Sequence, residues 1–121
     1  MAQVLVIDVK KDDVRIAECE ELTDFYRELD ADPFDIVRRK VGGTEYDIFV
    51  DNIGLFRDEQ RISAVDTDGK PMLVGNLIFA HHDDEGNTTS LTTDDIMNIG
   101  FHACRVVMKD GTENMAIVCD Y

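Results

Sequence analysis

Residues 3–9 carry almost uninterrupted β-branched and apolar side chains, and this run strongly limits what the chain can fold into. Such a run is typical of a central strand that is covered on both of its faces. A second mostly apolar run extends from Leu73 to Ala80 and is interrupted by Gly75-Asn76, so we assign residues 76–81 to another inner strand. The sequence therefore predicts a sheet with other elements packed against both sides.

Residues 35–51 predict a hairpin around Gly42-Gly43, because glycine tolerates the positive φ that a two-residue turn requires. This register places opposite charges across from each other on one face, which supports it. The predicted cross-strand pairs are Lys40 with Glu45, Arg38 with Asp47, and Ile36 with Phe49. The other face carries Val37, Val41, Tyr46 and Ile48, together with Arg39. We expect Arg39 to lie at the edge of the core or to contact a ligand or partner.

Two segments have the apolar spacing of amphipathic helices. In residues 20–30, the stripe consists of Leu22, Phe25, Tyr26 and Leu29, and Pro33 disfavours helical geometry in the residue before it. The second helix begins after Thr92, which forms a capping box with Asp95. Its predicted apolar face consists of Ile96, Ile99 and Ala103, flanked by Met97 and Phe101.

The remaining segments predict further strands and turns. Val14 to Ala17 predicts a return strand, and residues 62–72 predict a strand-turn-strand unit in which Pro71 favours a sheet edge. Residues 54–60 are expected to form a loop or short helical turn, and residues 81–87 a polar loop. A closing hairpin turns at Asp110-Gly111. The predicted fold is a single α+β domain over residues 1–121, with a mostly antiparallel sheet and two main helices.

The chain has 121 residues, 44% of them hydrophobic, and a net charge of −14 from 26 acidic and 12 basic residues. This length suits one domain. The charge disfavours direct nucleic-acid binding, which needs cations to displace phosphate counterions. The sequence contains no run of 18 apolar residues, so it predicts no membrane span. The first 13 residues lack the basic region and cleavage site of a signal peptide, so we interpret them as part of the fold.

The three cysteines are Cys19, Cys104 and Cys119. Their odd number and the lack of Cys-x-x-Cys spacing argue against a disulfide framework or a zinc ribbon, and we expect a cytoplasmic protein.

Candidate catalytic and metal-binding groups are sparse. The segment His81 to Glu85 contains metal-ligand types, but His81 and His82 would point to opposite faces of a strand. A site there would need help from His102 or Cys104. Asp66 to Gly69 resembles the start of a calcium loop without its later ligands, so we interpret it as a turn. We predict no metal, no cofactor and no catalytic residue, and therefore no enzyme.

Acidic residues cluster in two segments. Residues 18–37 hold eight acids and one base, and residues 81–104 hold five acids and no base. Averaged over the whole surface, the net charge is roughly fourfold more dilute than that of B-DNA. Mimicry of DNA therefore requires that the acidic helix and the 81–95 segment share one face. The predicted partner-binding residues are Glu20, Glu21, Asp24, Glu28, Asp83, Asp84 and Glu85.

Three blocks of sequence resemble a family of small proteins of unknown function. They are FDIVRRKVGGTEYDI (34–48), VDTDGKPMLVGNLIF (65–79), and the residues Glu85-Gly86-Asn87, Ser90-Leu91-Thr92 and Asp95-Ile96. Members of this family occur mainly in phages, plasmids and conjugative elements of Gram-positive gut bacteria. The resemblance implies a mobile-element origin and a cytoplasmic location, and it supplies no catalytic residues.

Together these features lead to one main hypothesis and two alternatives. The main hypothesis is a non-enzymatic protein that binds a basic protein surface and thereby inhibits a defence nuclease of the restriction or CRISPR type. The first alternative is a regulatory or structural module that associates with itself, which an exposed apolar edge strand in the closing hairpin would favour. The second is a metal-dependent enzyme that uses the His81–Glu85 segment.

Overall fold

The structure is a computed structural model that describes residues 2–30, 34–51 and 61–120. Within these ranges the chain forms ten strands and two helices. Their bounds are β1 Ala2–Asp8, β2 Asp13–Cys19, α1 Leu22–Leu29, β3 Phe34–Val41, β4 Thr44–Asp51, β5 Ile62–Val65, β6 Pro71–Val74, β7 Leu77–His82, β8 Thr88–Thr89, α2 Thr93–Phe101, β9 Ala103–Val107 and β10 Glu113–Val118. The predicted α+β class, with mostly antiparallel strands and two helices, is confirmed.

The strands form two sheets rather than one. The larger sheet has the order β2-β1-β7-β4-β3, with the short β8 paired to the end of β7, and all of its pairs are antiparallel. The apolar runs at 3–9 and 76–81 become β1 and β7, which are neighbours inside this sheet. The smaller sheet has the order β6-β5-β10-β9, in which β10 runs parallel to β5.

The larger sheet is covered on both faces, as its apolar runs predicted. Alternate side chains of β1 enter two separate apolar layers: Leu5 and Ile7 enter one, and Val4 and Val6 enter the other. The first layer also contains residues of the smaller sheet and of α2, whereas the second contains residues of α1. Burying such a side chain fully contributes roughly 1.5–3 kcal/mol to folding, so both layers are needed to stabilise the central strands.

Both helices use only part of their predicted apolar stripe. In α1, Phe25 and Leu29 are buried, but Leu22 at the first position is 63% exposed. The helix ends at Leu29, and its C-cap Asp30 adopts a left-handed conformation with φ of 55°. No helix among the described residues is long and apolar enough to cross a lipid bilayer.

In α2, Ile99 is buried and Ile96 packs against the same apolar layer. The predicted helical position of Ala103 is wrong, because α2 ends at Phe101 and Ala103 begins β9. Met97 and Phe101, which flank the predicted apolar face, are exposed.

The β3–β4 hairpin has the predicted register, with Lys40 opposite Glu45, Arg38 opposite Asp47 and Ile36 opposite Phe49. Arg39 is half-buried and donates a hydrogen bond to the main-chain oxygen of Arg38.

Other local predictions have mixed outcomes. The predicted polar loop at 81–87 is shorter than expected, since β7 continues through His82 and a tight turn then leads into β8. Pro71 begins β6, an edge strand, as predicted. The predicted loop or helical turn at 54–60 and the helix-ending Pro33 lie outside the described residues.

The turn between β3 and β4 yields a prediction about packing. Gly42 and Gly43 both have positive φ, 56° and 87°. A Cβ on Gly42 would collide with the Asn98 side chain and approach Cε1 of His102 to 2.6 Å, whereas a Cβ on Gly43 would meet nothing within 4 Å. We expect both alanine variants to lower the free energy of unfolding by about 1–2 kcal/mol, because a Cβ disfavours the left-handed backbone. Gly42→Ala should lose about 1–3 kcal/mol more, because it displaces hydrogen-bonded side chains.

Urea unfolding of the two variants measures this difference, with Gly43→Ala as the matched control. Equal destabilisation of the two would show that the contact of the turn with α2 does not constrain position 42.

Candidate functional site

The segment before α2 brings the two acidic segments of the sequence close together. The Ser90 hydroxyl oxygen accepts a hydrogen bond of 2.8 Å from the main-chain N–H of Gln3, and the N–H of Leu91 donates one of 2.8 Å to the Gln3 carbonyl oxygen. These bonds hold residues 88–91 beside the start of β1, which pairs with the end of β2. Because α1 begins directly after β2, the turn at 83–87 lies near the N-terminal end of α1.

A cleft of about 350 Å³ lies at this junction. Its lining residues come from the start of β1, the end of β2, the start of α1 and the 83–88 segment. They are Ala2, Cys19, Glu20, Glu21, Leu22, Phe25, Asn87 and Thr88. Ala2, Cys19 and Phe25 are buried, whereas both glutamates are exposed. The cleft therefore combines an apolar floor with an acidic rim; we call it the acidic cleft.

Two of the seven predicted partner-binding residues line the acidic cleft, namely Glu20 and Glu21. Two others, Asp84 and Glu85, are exposed at the tip of the 83–87 turn. The sequence could not place these two pairs relative to each other, because a hydrogen-bonded contact between residues 3 and 91 decides their arrangement.

The other three predicted residues have clear roles in holding the structure. The Asp24 carboxylate accepts hydrogen bonds from the main-chain N–H groups of Glu21 and Glu20, which lower its pKa, and it also pairs with Arg27. Glu28 lies 3.0 Å from the Arg15 guanidinium, which also contacts the buried Asp8. These carboxylates are already engaged within the chain.

Asp83 organises the turn that carries Asp84 and Glu85. Its Oδ1 accepts hydrogen bonds from the main-chain N–H groups of Glu85, at 3.0 Å, and Asn87, at 2.9 Å. The bond from the Asn87 N–H is the main cause that lowers the pKa of Asp83 below its ordinary value.

A second group of polar side chains, which we call the Asp95 network, lies between α2 and the larger sheet. Asp95 caps α2, as predicted, by accepting hydrogen bonds from the main-chain N–H and the hydroxyl of Thr92. It also accepts one of 3.0 Å from Nε2 of His81 and one of 3.2 Å from the Tyr46 hydroxyl. The His81 ring stacks on Tyr46 with 5.0 Å between the ring centroids. Asn98 donates to the Tyr46 hydroxyl, which completes the network.

The side chain of the neighbouring His82 lies on the other face of β7, as the alternation of side chains along a strand predicted. His82 lies 3.0 Å from the buried Asp47 through its Nδ1, and Arg38 donates to the other oxygen of the same carboxylate at 3.2 Å. His102 is engaged elsewhere, because its Nδ1 donates to the main-chain oxygen of Asn98. Over residues 2–30, 34–51 and 61–120, no three His, Cys, Asp or Glu side chains form a group that could hold a metal ion.

The cysteines are free thiols. Burial raises the pKa of both Cys19 and Cys119 to about 11, so neither is a reactive thiolate at neutral pH. Burial also raises the pKa of the partly exposed Cys104.

The Asp95 network predicts a pH-dependent contribution to stability. Burial alone would raise the pKa of Asp95, but hydrogen bonds from Thr92 and His81 outweigh it and hold this pKa below its ordinary value of 3.8. A carboxyl with a lowered pKa stabilises the fold above its unfolded-state pKa, and this stabilisation is lost as the pH falls through its folded-state pKa. We expect Asp95→Asn to lower the free energy of unfolding by about 1–3 kcal/mol near pH 7. This difference from the wild type should shrink below about pH 4.

Denaturant unfolding of both proteins between neutral and acid pH measures this effect. The exposed neighbour Asp94 supplies the control variant Asp94→Asn, which should lose only about 0.3–1 kcal/mol, from the helix dipole. An Asp95→Asn deficit that does not change with pH would contradict the assignment.

The sequence matches the model of a protein family. A sequence family described as Domain of unknown function (DUF3846) matches residues 1–103, which extends beyond the region of resemblance in both directions and ends at the start of β9. The sequence has no significant match among curated proteins or among solved structures. Since the match covers most of the 121 residues, the chain belongs to the DUF3846 family, a family of unknown function.

Proposed function

We propose that this protein acts without catalysis by binding a basic protein surface through the acidic cleft and the 83–87 turn. The observation that carries this proposal is the position of the cleft, which lies where the two acidic segments of the sequence meet. Its acidic rim at Glu20 and Glu21 is adjacent to the turn that presents Asp84 and Glu85.

The composition of the acidic cleft suits a lysine or arginine side chain of a partner. Such a side chain places its methylene groups against apolar surface and keeps its charged end near polar groups. Here the floor offers Cys19 and Phe25, while the rim offers two carboxylates. A cleft of about 350 Å³ is also within the usual size range of ligand pockets.

The net charge of −14 supports a basic partner and disfavours nucleic acid itself. Like charges repel phosphate groups, whereas an acidic surface accelerates encounter with a basic protein. Enzymes that handle DNA carry basic surfaces for their substrate, so they are suitable targets.

We further propose that the target is a defence nuclease of the restriction or CRISPR type and that the protein works in the cytoplasm of a host of mobile DNA. The support is the resemblance of the blocks at 34–48 and 65–79 to proteins of phages, plasmids and conjugative elements.

Paired charge reversals test the binding surface. We expect Glu20→Lys with Glu21→Lys, and separately Asp84→Lys with Glu85→Lys, to raise the Kd for the partner roughly tenfold or more, about 1.4 kcal/mol. Both variants should also flatten the salt dependence of binding, because fewer ion pairs are screened. The measurements are DNA cleavage by a panel of purified restriction and CRISPR nucleases in the presence of the protein, and direct binding to any nuclease that is inhibited.

The control variant is Asp68→Lys with Asp94→Lys. It changes the net charge by the same amount, but its sites lie in the β5–β6 turn and at the start of α2, on the other side of the larger sheet. Equal weakening by the control would show that only total charge matters. Inhibition that survives both test variants would exclude the acidic cleft, and a panel without any inhibited nuclease would contradict the assigned target.

A further inference from the structure

Strand β9 leaves one edge of the smaller sheet open. Its main chain bonds to β10 through even-numbered residues, since the His102 carbonyl oxygen accepts from Val118 and the Met108 N–H donates to Thr112. The N–H and C=O groups of Ala103, Arg105 and Val107 therefore point away from the sheet. All three residues are exposed, and no hydrogen bond satisfies these main-chain groups within the ranges that the structure describes.

The other edge strands carry features that discourage pairing, whereas β9 carries few. Charged side chains, proline and irregular pairing protect natural sheet edges from other chains. β2 has three charged residues among seven, and β3 has four among eight, with Asp120 bonded to the Lys40 carbonyl oxygen beside it. β6 begins with Pro71 and pairs irregularly with β5. In β9 the one charged residue is Arg105, which Asp12 holds at 3.0 Å.

Exposed apolar side chains flank the same edge. Phe101, at the end of α2, is 88% exposed, and Val107 is 65% exposed. The sequence from Ile96 to Lys109 contains no acidic residue. In a chain with a net charge of −14, this stretch can meet its own copy without contact between carboxylates.

We propose that two copies of this chain associate through β9, pairing antiparallel about a two-fold axis at Cys104 to form a continuous eight-stranded sheet. In this register Ala103 of one copy lies opposite Arg105 of the other. Val107 then lies beside the end of the other copy's α2, where Phe101 is exposed. The two-fold axis repeats this apolar contact, so the dimer covers both exposed side chains twice.

The two registers whose axes lie on the neighbouring residues are less favourable for electrostatic and steric reasons. Because the outward main-chain groups belong to odd-numbered residues, a two-fold pairing can shift only in steps that keep odd residues opposite odd residues. A two-fold axis at Arg105 would place the two Arg105 side chains directly opposite each other, which is destabilising. An axis at Ala103 would bring the end of α2 into the ladder. The axis at Cys104 avoids both arrangements.

In this register the two Cys104 residues lie directly opposite each other at a position where the main chains form no hydrogen bonds. The Cα atoms of such a pair lie roughly 4.5 Å apart. That separation is within the range of a disulfide. In the register centred on Arg105, the two Cys104 residues would instead lie two residues apart along the strands, roughly 7 Å. They could not then form a disulfide.

The first test is the oligomeric state of the purified full chain. Sedimentation equilibrium over a range of concentrations should show a species of twice 13.7 kDa that dissociates on dilution. Val107→Lys should raise the dimer Kd at least tenfold, because it places a charge on the edge strand. The matched control is Ile16→Lys on the edge strand β2, where Ile16 is 56% exposed, and it should leave the dimer Kd unchanged.

The second test is cross-linking with diamide. Two Cys104 thiols give up two protons and two electrons to diamide, which is reduced to the hydrazine, and a disulfide forms between the copies. We expect a covalent dimer in the wild type and none in Cys104→Ser, which should still associate non-covalently. Cys19 and Cys119 are buried and serve as internal controls.

Several outcomes would overturn the proposal. A monomer at every concentration would exclude the dimer, an open-ended assembly would exclude the two-fold axis, and a dimer that diamide does not cross-link would exclude the register. The dimer should also tighten as salt screens the repulsion between two chains of −14. Binding to a basic partner should weaken under the same conditions, so failure of one proposal can be told apart from failure of the other.

Discussion

The fold depends on burial of the larger sheet on both of its faces. Because successive residues of a strand point to opposite sides, the apolar run of β1 supplies two layers at once, and neither layer can be left in water. Helix α1 covers one face, and the smaller sheet with α2 covers the other. The order of elements along the chain follows from this need, since the segments after β4 and after β7 must both reach the side opposite α1.

At the end of β7, the histidines His81 and His82 pair with two carboxylates, the partly buried Asp95 and the buried Asp47. Asp95 joins the cap of α2 to His81 and Tyr46 on one side of the sheet, and Asp47 joins His82 to Arg38 on the other. Each of these carboxylates is paired with donors, as buried charges must be. The histidines that first suggest metal ligands are therefore part of the structural framework.

The two proposed surfaces lie on different parts of the molecule and differ in charge. The acidic cleft lies where α1 and the larger sheet meet, whereas the β9 edge belongs to the smaller sheet and is free of acids. A protein with both surfaces could bind a basic partner as a dimer, with two acidic clefts related by the two-fold axis. Each cleft would then add to the affinity for a partner with two basic sites.

Much of the local structure follows directly from the sequence, because hydrophobic period, glycine turns and capping residues act over a few neighbours. The register of the β3–β4 hairpin and the capping box of Thr92 with Asp95 were predictable for this reason. The separation of the strands into two sheets and the place of Asn87 in the wall of the acidic cleft were not predictable. They depend on contacts between residues far apart in the chain, such as Gln3 with Leu91, and only the folded chain brings such residues together.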